Sequence, residues 1–201
     1  MDAAAAITQL FAGLGLSSAA GLNAYIPLLA IGILGRMGFV HLEGPYALLS
    51  TWAALGILGT LAAIDFVADK VPAIDHAVHA LGAVVNPVAG AIVFGSQTHA
   101  IGHIPPAVAM AAGLVVAGGF HATRAAMRPV STVATGGVAN PFISLAEDGM
   151  AALLSFLAIF VPILAFVLFL VLLVAVFRSW SAVRRGMARI FRRTPEQPTG
   201  S

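Results

Sequence analysis

Ionisable side chains are concentrated in one short stretch of this chain, from Asp65 to His79. An ionisable group at the centre of a bilayer costs roughly 2.5–3.5 kcal/mol, so charges kept between apolar segments favour a functional site. Asp65 and Asp69 stand four residues apart and share one helix face, and Lys70 follows directly. Carboxylates in this pattern could exchange protons or hold a cation.

A metal site is the alternative chemistry for the end of this stretch. Asp75 and His79 are also four residues apart, and His76 lies on the same turn. Imidazole and carboxylate groups suit zinc or iron, and His99 and His103 in the next loop could add ligands. The sequence contains no His-Glu-x-x-His or paired Glu-x-x-His motif. Asp75, His76 and His79 are the metal candidates, and no cofactor is predicted.

A second set of ionisable residues follows later in the chain. His121, Arg124 and Arg128 are spaced i, i+3, i+7 and share a helix face, and Glu147 is adjacent to Asp148. If the helices that carry the two sets pack together, acids face bases and pairing offsets the cost of desolvation. The alternative is that these charges only hold helices together or lie near water at helix ends.

The composition is that of a membrane protein. Of the 201 residues, 60% are hydrophobic and 9% are charged, and the mean hydropathy is +0.98. A soluble domain carries about 25% charged residues. Several apolar runs approach the ~20 residues that cross a bilayer as a helix. The sequence therefore predicts an all-α polytopic bundle with five to six crossings. Because there is no cysteine, disulfides and thiol chemistry are excluded.

The first apolar segment, from Ala3 to Leu34, is interrupted between Gly15 and Pro27 by small residues, an asparagine and a proline. Either the helix is discontinuous there, which membranes tolerate only where protein covers the freed backbone groups, or it is kinked by Pro27. Later segments are predicted at 46–67, 75–94, 105–129 and 143–177. As one helix the last would span roughly 50 Å, against a ~30 Å hydrocarbon core. Either it turns near Ile159 to Pro162, or it continues as one kinked helix.

Six of the ten basic residues lie between Arg178 and Arg193. We therefore divide the chain into a transmembrane domain, 1–177, and a basic tail, 178–201, predicted to be an interfacial helix on anionic lipid headgroups. This places the C-terminus in the cytoplasm, in a bacterial cytoplasmic membrane, with no role for nucleic acid. Since Lys70, Arg124 and Arg128 follow the second and fourth segments, they share one side. If that side is also cytoplasmic, six crossings fit best.

A weak internal repeat relates the two halves. A stripe of ionisable residues and a proline precede an Asn-Pro pair in each half, at Asn86 and at Asn140. Many transporters are built from repeated halves, with the binding site between them.

The chain also resembles a bacterial membrane family known only as domain of unknown function 4126. The resemblance covers nearly all of the chain before the tail, and it is carried by Ala20–Leu29, Asp65–His76, Pro87–Ala91, His121–Arg124 and Ser144–Asp148. The family implies a membrane architecture and supplies no reaction or ligand. Relatives commonly carry arginine at the positions of Asn23 and Asn86, glutamate at Asp65 and lysine at Arg124. The resemblance therefore implies that a site here is less suited to anions.

The balance of ionisable groups suggests a function. Five acids (Asp65, Asp69, Asp75, Glu147, Asp148) stand against three bases (Lys70, Arg124, Arg128). An acidic excess requires protonation, solvation, pairing with histidine or a bound cation. We predict a small proton- or cation-linked transporter, not an enzyme, whose solute binds between the broken segments around Asn23 and Asn140. The predicted binding residues are Asn23, Asp65, Asp69, Lys70, Asn86, Arg124, Arg128, Asn140, Glu147 and Asp148.

Two other functions fit the same residues. A lipid or polyprenyl-phosphate flippase would use Lys70, Arg124 and Arg128 for the headgroup. A structural or accessory protein would use the charges only for packing, and the glycine-rich face 113–119 could pack helices within one chain or in a homo-oligomer. A metal-dependent membrane enzyme is a smaller alternative. The sequence identifies neither the solute nor the direction of transport.

Overall fold

A computed structural model describes residues 3–68, 72–97 and 104–191. Within these residues the fold is all-α, as predicted, and contains no strand. The helices are α1 (Ala3–Leu22), α2 (Tyr25–Arg36), a 3₁₀ helix (Gly44–Ser50), α3 (Trp52–Ala68), α4 (Pro72–Gly95), α5 (Pro106–Thr135), α6 (Asn140–Phe160) and α7 (Pro162–Phe191).

Three helices in the described part of the chain are long and apolar enough to cross a membrane: Ala3–Leu22, Pro106–Val133 and Asn140–Phe160. The 3₁₀ helix and α3 together would make a fourth span, bent by 66° at their junction. Tyr25–Arg36, Ala80–Gly95 and Pro162–Arg178 are shorter apolar helices. The chain is therefore a helical membrane protein with three or four candidate spans, and the predicted five to six crossings are not confirmed.

Helix α1 lies at the centre of the bundle, and most of its residues from Ala12 to Gly21 are buried. Its glycines, alanines and serines allow neighbouring backbones to approach closely, as is common between membrane helices. A Cβ on Gly15 would lie 3.0 Å from the Cβ atoms of both Ala158 and Ala165, and a Cβ on Gly21 would lie 2.6 Å from the Ala117 carbonyl. Helices α5, α6 and α7 therefore surround α1 at close range.

The chain reverses direction between α1 and α2. Asn23, at the end of α1, bonds to Asp148 near the start of α6, whereas Phe39, beyond α2, packs on Phe160 at the end of α6. Both helices thus run along α6, in opposite directions. The interruption consists of Asn23 and Ala24, and Pro27 lies inside the first turn of α2. The segment is therefore interrupted at Asn23 and Ala24 and not kinked at the proline, and the two helices form a hairpin and not two halves of one span.

The structure also decides whether the last apolar segment, 143–177, turns or continues as one helix. Helix α6 ends at Phe160 and α7 begins at Pro162, and Leu154 and Leu168 pack in the same apolar cluster around Ala19. A Cβ on Gly15 would also lie 3.0 Å from both Ala158 and Ala165, which stand on either side of Val161. The segment 143–177 therefore folds back on itself there. Helix α7 then continues as one helix across the proposed domain boundary at residue 177.

The predicted end of the fourth segment at Pro129 is wrong. Helix α5 continues through Pro129 to Thr135 and ends at Gly136, whose φ of +63° is the left-handed conformation that favours glycine. A proline removes one backbone donor, but membrane helices tolerate it where neighbouring groups compensate. The following Asn140 is the first residue of α6, whereas Asn86 is buried in the middle of α4. The two Asn-Pro pairs occupy different positions, and the internal repeat is not confirmed.

Candidate ion-binding site

Polar side chains from five parts of the chain converge where α1 ends. We call them the polar cluster: Asn23, Asp65, Asn86, His121, Arg124, Arg128, Glu147 and Asp148. They come from the α1–α2 connection and from α3, α4, α5 and α6. Five of them are at least nine-tenths buried, namely Asn23, Asn86, His121, Arg124 and Arg128. The cluster therefore lies inside the bundle and not on its surface.

Part of the cluster provides hydrogen-bond partners for the backbone groups at the end of α1 and at the start of α2. The last carbonyls of α1 accept hydrogen bonds, Gly21 O from Asn86 Nδ2 at 3.2 Å and Leu22 O from Arg124 Nη1 at 2.5 Å. On the other side of the break, the Asn23 Oδ1 atom accepts hydrogen bonds from the amides of Tyr25 at 2.9 Å and Ile26 at 3.3 Å. Helix ends leave such groups unpaired, and in a membrane each unpaired group costs several kcal/mol. The side chains make the reversal possible.

The same asparagine also joins two carboxylates. Asn23 Nδ2 donates to Asp65 Oδ2 at 3.1 Å and to Asp148 Oδ1 at 2.9 Å. Since both oxygens bond to one nitrogen, they lie within about 6 Å of each other. Asp65 and Asp148 are both partly buried, so water screens their repulsion only in part. Two carboxylates at this distance favour a proton or a cation between them.

Glu147 is held by two arginines of α5. Its Oε2 atom lies 2.6 Å from Arg124 Nε and 3.2 Å from Arg128 Nη2. The side chains of Arg124, Arg128 and Glu147 are 7%, 6% and 17% exposed. Because charged pairs are stronger in a low dielectric, this group fixes α5 against α6 beside the aspartates.

The comparison with known families bears on the whole of this arrangement. The model of the family described as domain of unknown function (DUF4126) matches residues 10–182. The chain belongs to the DUF4126 family. No curated protein and no solved structure matches it. Every residue of the polar cluster lies inside the matched range, and the DUF4126 description assigns no activity, so the chemistry has to be argued from the cluster itself.

In this DUF4126 protein the arginines of α5 have an acidic partner that the sequence did not pair with them. Asp65 bonds to Asn23, and the carboxylate that lies 2.6 Å from Arg124 comes from Glu147 on α6. Asn140 bonds to Ser131 and Thr132 at the α5–α6 turn. It lies about 12 Å along α6 from Asp148. The structure therefore does not bring Asn140 to the cluster with Asn23.

Several predicted residues lie outside what the structure describes. They are Asp69, Lys70, His99 and His103, together with the side chains of Asp75, His76 and His79. The metal site at Asp75, His76 and His79 stays a prediction. Among the residues whose side chains are described, no group of three or more histidine, cysteine, aspartate or glutamate side chains could hold a metal ion.

Three contributors to the site were missed from the sequence. Tyr25 lies within electrostatic reach of Asp65. His121, seen only as part of a stripe, is buried in the cluster, and Gly82 makes room for it, since a Cβ there would lie 2.7 Å from His121 Cε1. The third is the Leu22 carbonyl. Tyr25 could have been found by its position two residues after Asn23. The Leu22 carbonyl could not, because every residue has a backbone carbonyl and the sequence does not mark this one.

Proposed function

We propose that this DUF4126 protein is a small proton- or cation-linked membrane transporter, with the coupling ion bound between Asp65 and Asp148. The observation that carries the proposal is the shared hydrogen bond of Asn23 Nδ2 to both carboxylates at the point where α1 and α2 reverse. Helices whose ends lie at a buried polar site are a common feature of secondary transporters.

The charges of the cluster support a cationic ligand. Its described members carry three carboxylates, on Asp65, Glu147 and Asp148, and two guanidinium groups, on Arg124 and Arg128. Glu147 contacts both guanidinium groups. A proton or a cation bound at the aspartates would balance the net negative charge of these five groups.

The reversal at Asn23 gives ion binding a way to act on the fold. The Asn23 side chain bonds to both carboxylates and also caps the start of α2. An ion that draws Asp65 and Asp148 together changes the acceptors around Asn23 and so favours one position of α2 over another. A ligand shifts a conformational equilibrium only through such differential contacts.

A flippase for lipid or polyprenyl phosphates fits the contacts less well. Arg124 bonds to the Leu22 carbonyl and to Glu147, and Arg128 bonds to Glu147 as well. A phosphate would have to displace these bonds. The proposed role is non-enzymatic, and a purely structural cluster is the outcome that the experiment below must separate from it.

The proposal includes an orientation in a bacterial cytoplasmic membrane. Phe120 of α5 packs on Phe169 of α7, and the two helices run in the same direction, so Arg124, Arg128 and Arg178 lie toward one end of the bundle. Basic residues favour the cytoplasmic side, which would place the C-terminus there beside anionic lipid headgroups.

The test is a thermal-shift titration of the detergent-purified protein with protons and with monovalent and divalent cations. A ligand at 100 times its dissociation constant stabilises by about 2.7 kcal/mol. We expect one cation, or acidification, to stabilise the wild-type protein, and Asp148→Asn and Asp65→Asn to remove that response. Each change keeps an acceptor for Asn23 while removing the charge. Glu43→Gln is the matched control, because Glu43 lies far from the cluster and half exposed.

The outcomes separate the functions. A response that survives both aspartate changes contradicts the ion site. Loss of folding in both variants, with no response in the wild type, favours a structural cluster. Stabilisation by a lipid phosphate that disappears in Arg124→Ala would instead support the flippase.

A further inference from the structure

A polar cavity lies at the opposite end of α1 from the polar cluster. It has a volume of about 240 Å³ and is formed where the chain beyond α2 returns to the first turns of α1, beside the ends of α4 and α6. We call it the distal pocket. Its polar lining consists of Thr8, Gln9, His41, Ser96 and Gln97.

Among the residues that the structure describes, the lining of the distal pocket contains one imidazole and no other ionisable side chain. Hydroxyl and amide groups dominate, and the described residues that line it include no aspartate, glutamate, lysine or arginine. Phe39 and Ile159 add apolar surface. Such a lining suits a neutral solute with hydrogen-bonding groups and some carbon surface. At ~30 Å³ per water, the volume equals roughly eight water molecules, so the solute is small.

A closed seam between α1 and α6, formed mostly of small residues, connects the distal pocket to the polar cluster. Helices α1 and α6 run antiparallel from Ala12 and Ile159, in the distal pocket, to Asn23 and Asp148. The distance is about 16 Å along α1. The buried residues between these ends include Gly15, Ser18 and Ala19 on α1, and Ala151, Ser155 and Ala158 on α6, all of them small. Leu16 and Leu154 are the larger side chains buried along the same stretch. A separation of the helices that also turned these two leucines aside would open a path.

The two serines of the seam are not part of a fixed network between the helices. Ser18 Oγ donates to the Leu14 carbonyl at 2.7 Å, and Ser155 Oγ donates to the Ala151 carbonyl at 2.7 Å. Each bond is within its own helix. Separating α1 from α6 would therefore leave both hydroxyl groups paired and present them to a passing solute.

We infer that the distal pocket is the second mouth of a transport path that runs along the α1–α6 seam, and that the solute is a small uncharged molecule with hydrogen-bonding groups. The inference rests on the proposed transporter function and adds the solute class and the route. In the structure the seam is closed, so the distal pocket and the polar cluster are separated. Opening of the seam would join them.

The test is single-cysteine accessibility, since the chain contains no cysteine of its own. Ser96→Cys reports on the distal pocket, Ser155→Cys reports on the seam, and Thr60→Cys is the control on exposed α3. Each protein is reconstituted in lipid vesicles and treated with a small neutral methanethiosulfonate. The cysteine thiolate attacks this reagent, forms a mixed disulfide and releases methanesulfinate, so labelling needs a site where water allows the thiol to ionise.

We expect fast labelling of the Ser96→Cys protein and none of the Thr60→Cys protein. A minor open state is typically populated at 0.1–10%, so the Ser155→Cys protein should react roughly 10- to 1,000-fold more slowly than the Ser96→Cys protein. Ala158→Leu, which adds bulk against Gly15 at the boundary between the seam and the distal pocket, should stop labelling at position 155. If Ser155→Cys does not fold, Ser18→Cys takes its place.

Labelling at position 155 no faster than at position 60 would overturn the inference, as would an unreactive position 96. The thermal response to cations is measured on the same Ser155→Cys protein. If cations still stabilise the protein but position 155 does not react, only the route and the solute class are contradicted. If cations do not stabilise the protein, with or without labelling, the proposed cation-linked transport is contradicted.

Discussion

The strongest consequence of the site geometry concerns Glu147. Glu147→Gln keeps the size of the side chain but removes the negative charge that contacts Arg124 Nε at 2.6 Å and Arg128 Nη2 at 3.2 Å. All three side chains are less than one-fifth exposed, so solvent screens the pair weakly. Removing one partner of a buried pair costs roughly 3–5 kcal/mol. We expect a loss near the lower limit, about 3 kcal/mol, because the amide oxygen still accepts a hydrogen bond.

The assay is reversible unfolding in mixed detergent micelles, followed by circular dichroism. A loss of 3 kcal/mol corresponds to a fall in Tm of about 6–12 °C for a chain of this length. The matched control is Glu43→Gln, which breaks the exposed 3.4 Å pair with His41. An exposed pair contributes about 0–1 kcal/mol. Equal stability of the two variants would refute the reasoning that the arginine–glutamate group fixes α5 against α6.

Other changes test the packing and the helix reversal. Gly90→Ala should destabilise by about 1–3 kcal/mol, because its Cβ would meet Ala117 and lie 2.6 Å from the Gly113 carbonyl. Gly119→Ala is its control on α5, since nothing lies within 4 Å, and stability should rise by up to about 1 kcal/mol. Asn23→Ala removes the side chain that caps α2 and should lower the free energy of unfolding by about 1–2 kcal/mol, measured by the same reversible unfolding. Asn23→Ala should also weaken the thermal stabilisation by cations. An unchanged stabilisation would show that ion binding does not depend on the helix reversal at Asn23.

The all-α membrane fold could be predicted because apolar runs and a low charge content are read directly from composition. The position of the α1–α2 break could be narrowed to Gly15–Pro27, where small residues and Asn23 interrupt the apolar run. Its reversal could not be predicted, because it depends on Asn86 and Arg124, which reach the ends of α1 from distant helices. Hydropathy along the chain does not report contacts between residues that are far apart in the sequence.

The candidate site was predictable as a set of residues and less so as an arrangement. Spacing put Arg124 and Arg128 on one helix face, which agrees with their shared contact to Glu147. Spacing does not say which helices are neighbours, so the acid for these arginines was sought near Asp65. Asn140 was included because it resembled Asn86 in sequence, although one residue begins a helix and the other lies inside one.

The most direct test of the ion site between Asp65 and Asp148 is charge movement in reconstituted vesicles on a solid-supported membrane. A jump in pH or cation concentration should drive a saturable transient current in the wild-type protein, because the ion enters a partly buried site within the bundle. The account predicts that the double change Asp65→Asn with Asp148→Asn abolishes this current, while Glu43→Gln retains it. A current of unchanged size in the double variant, or no current in the wild type for any cation or proton jump, would contradict the account.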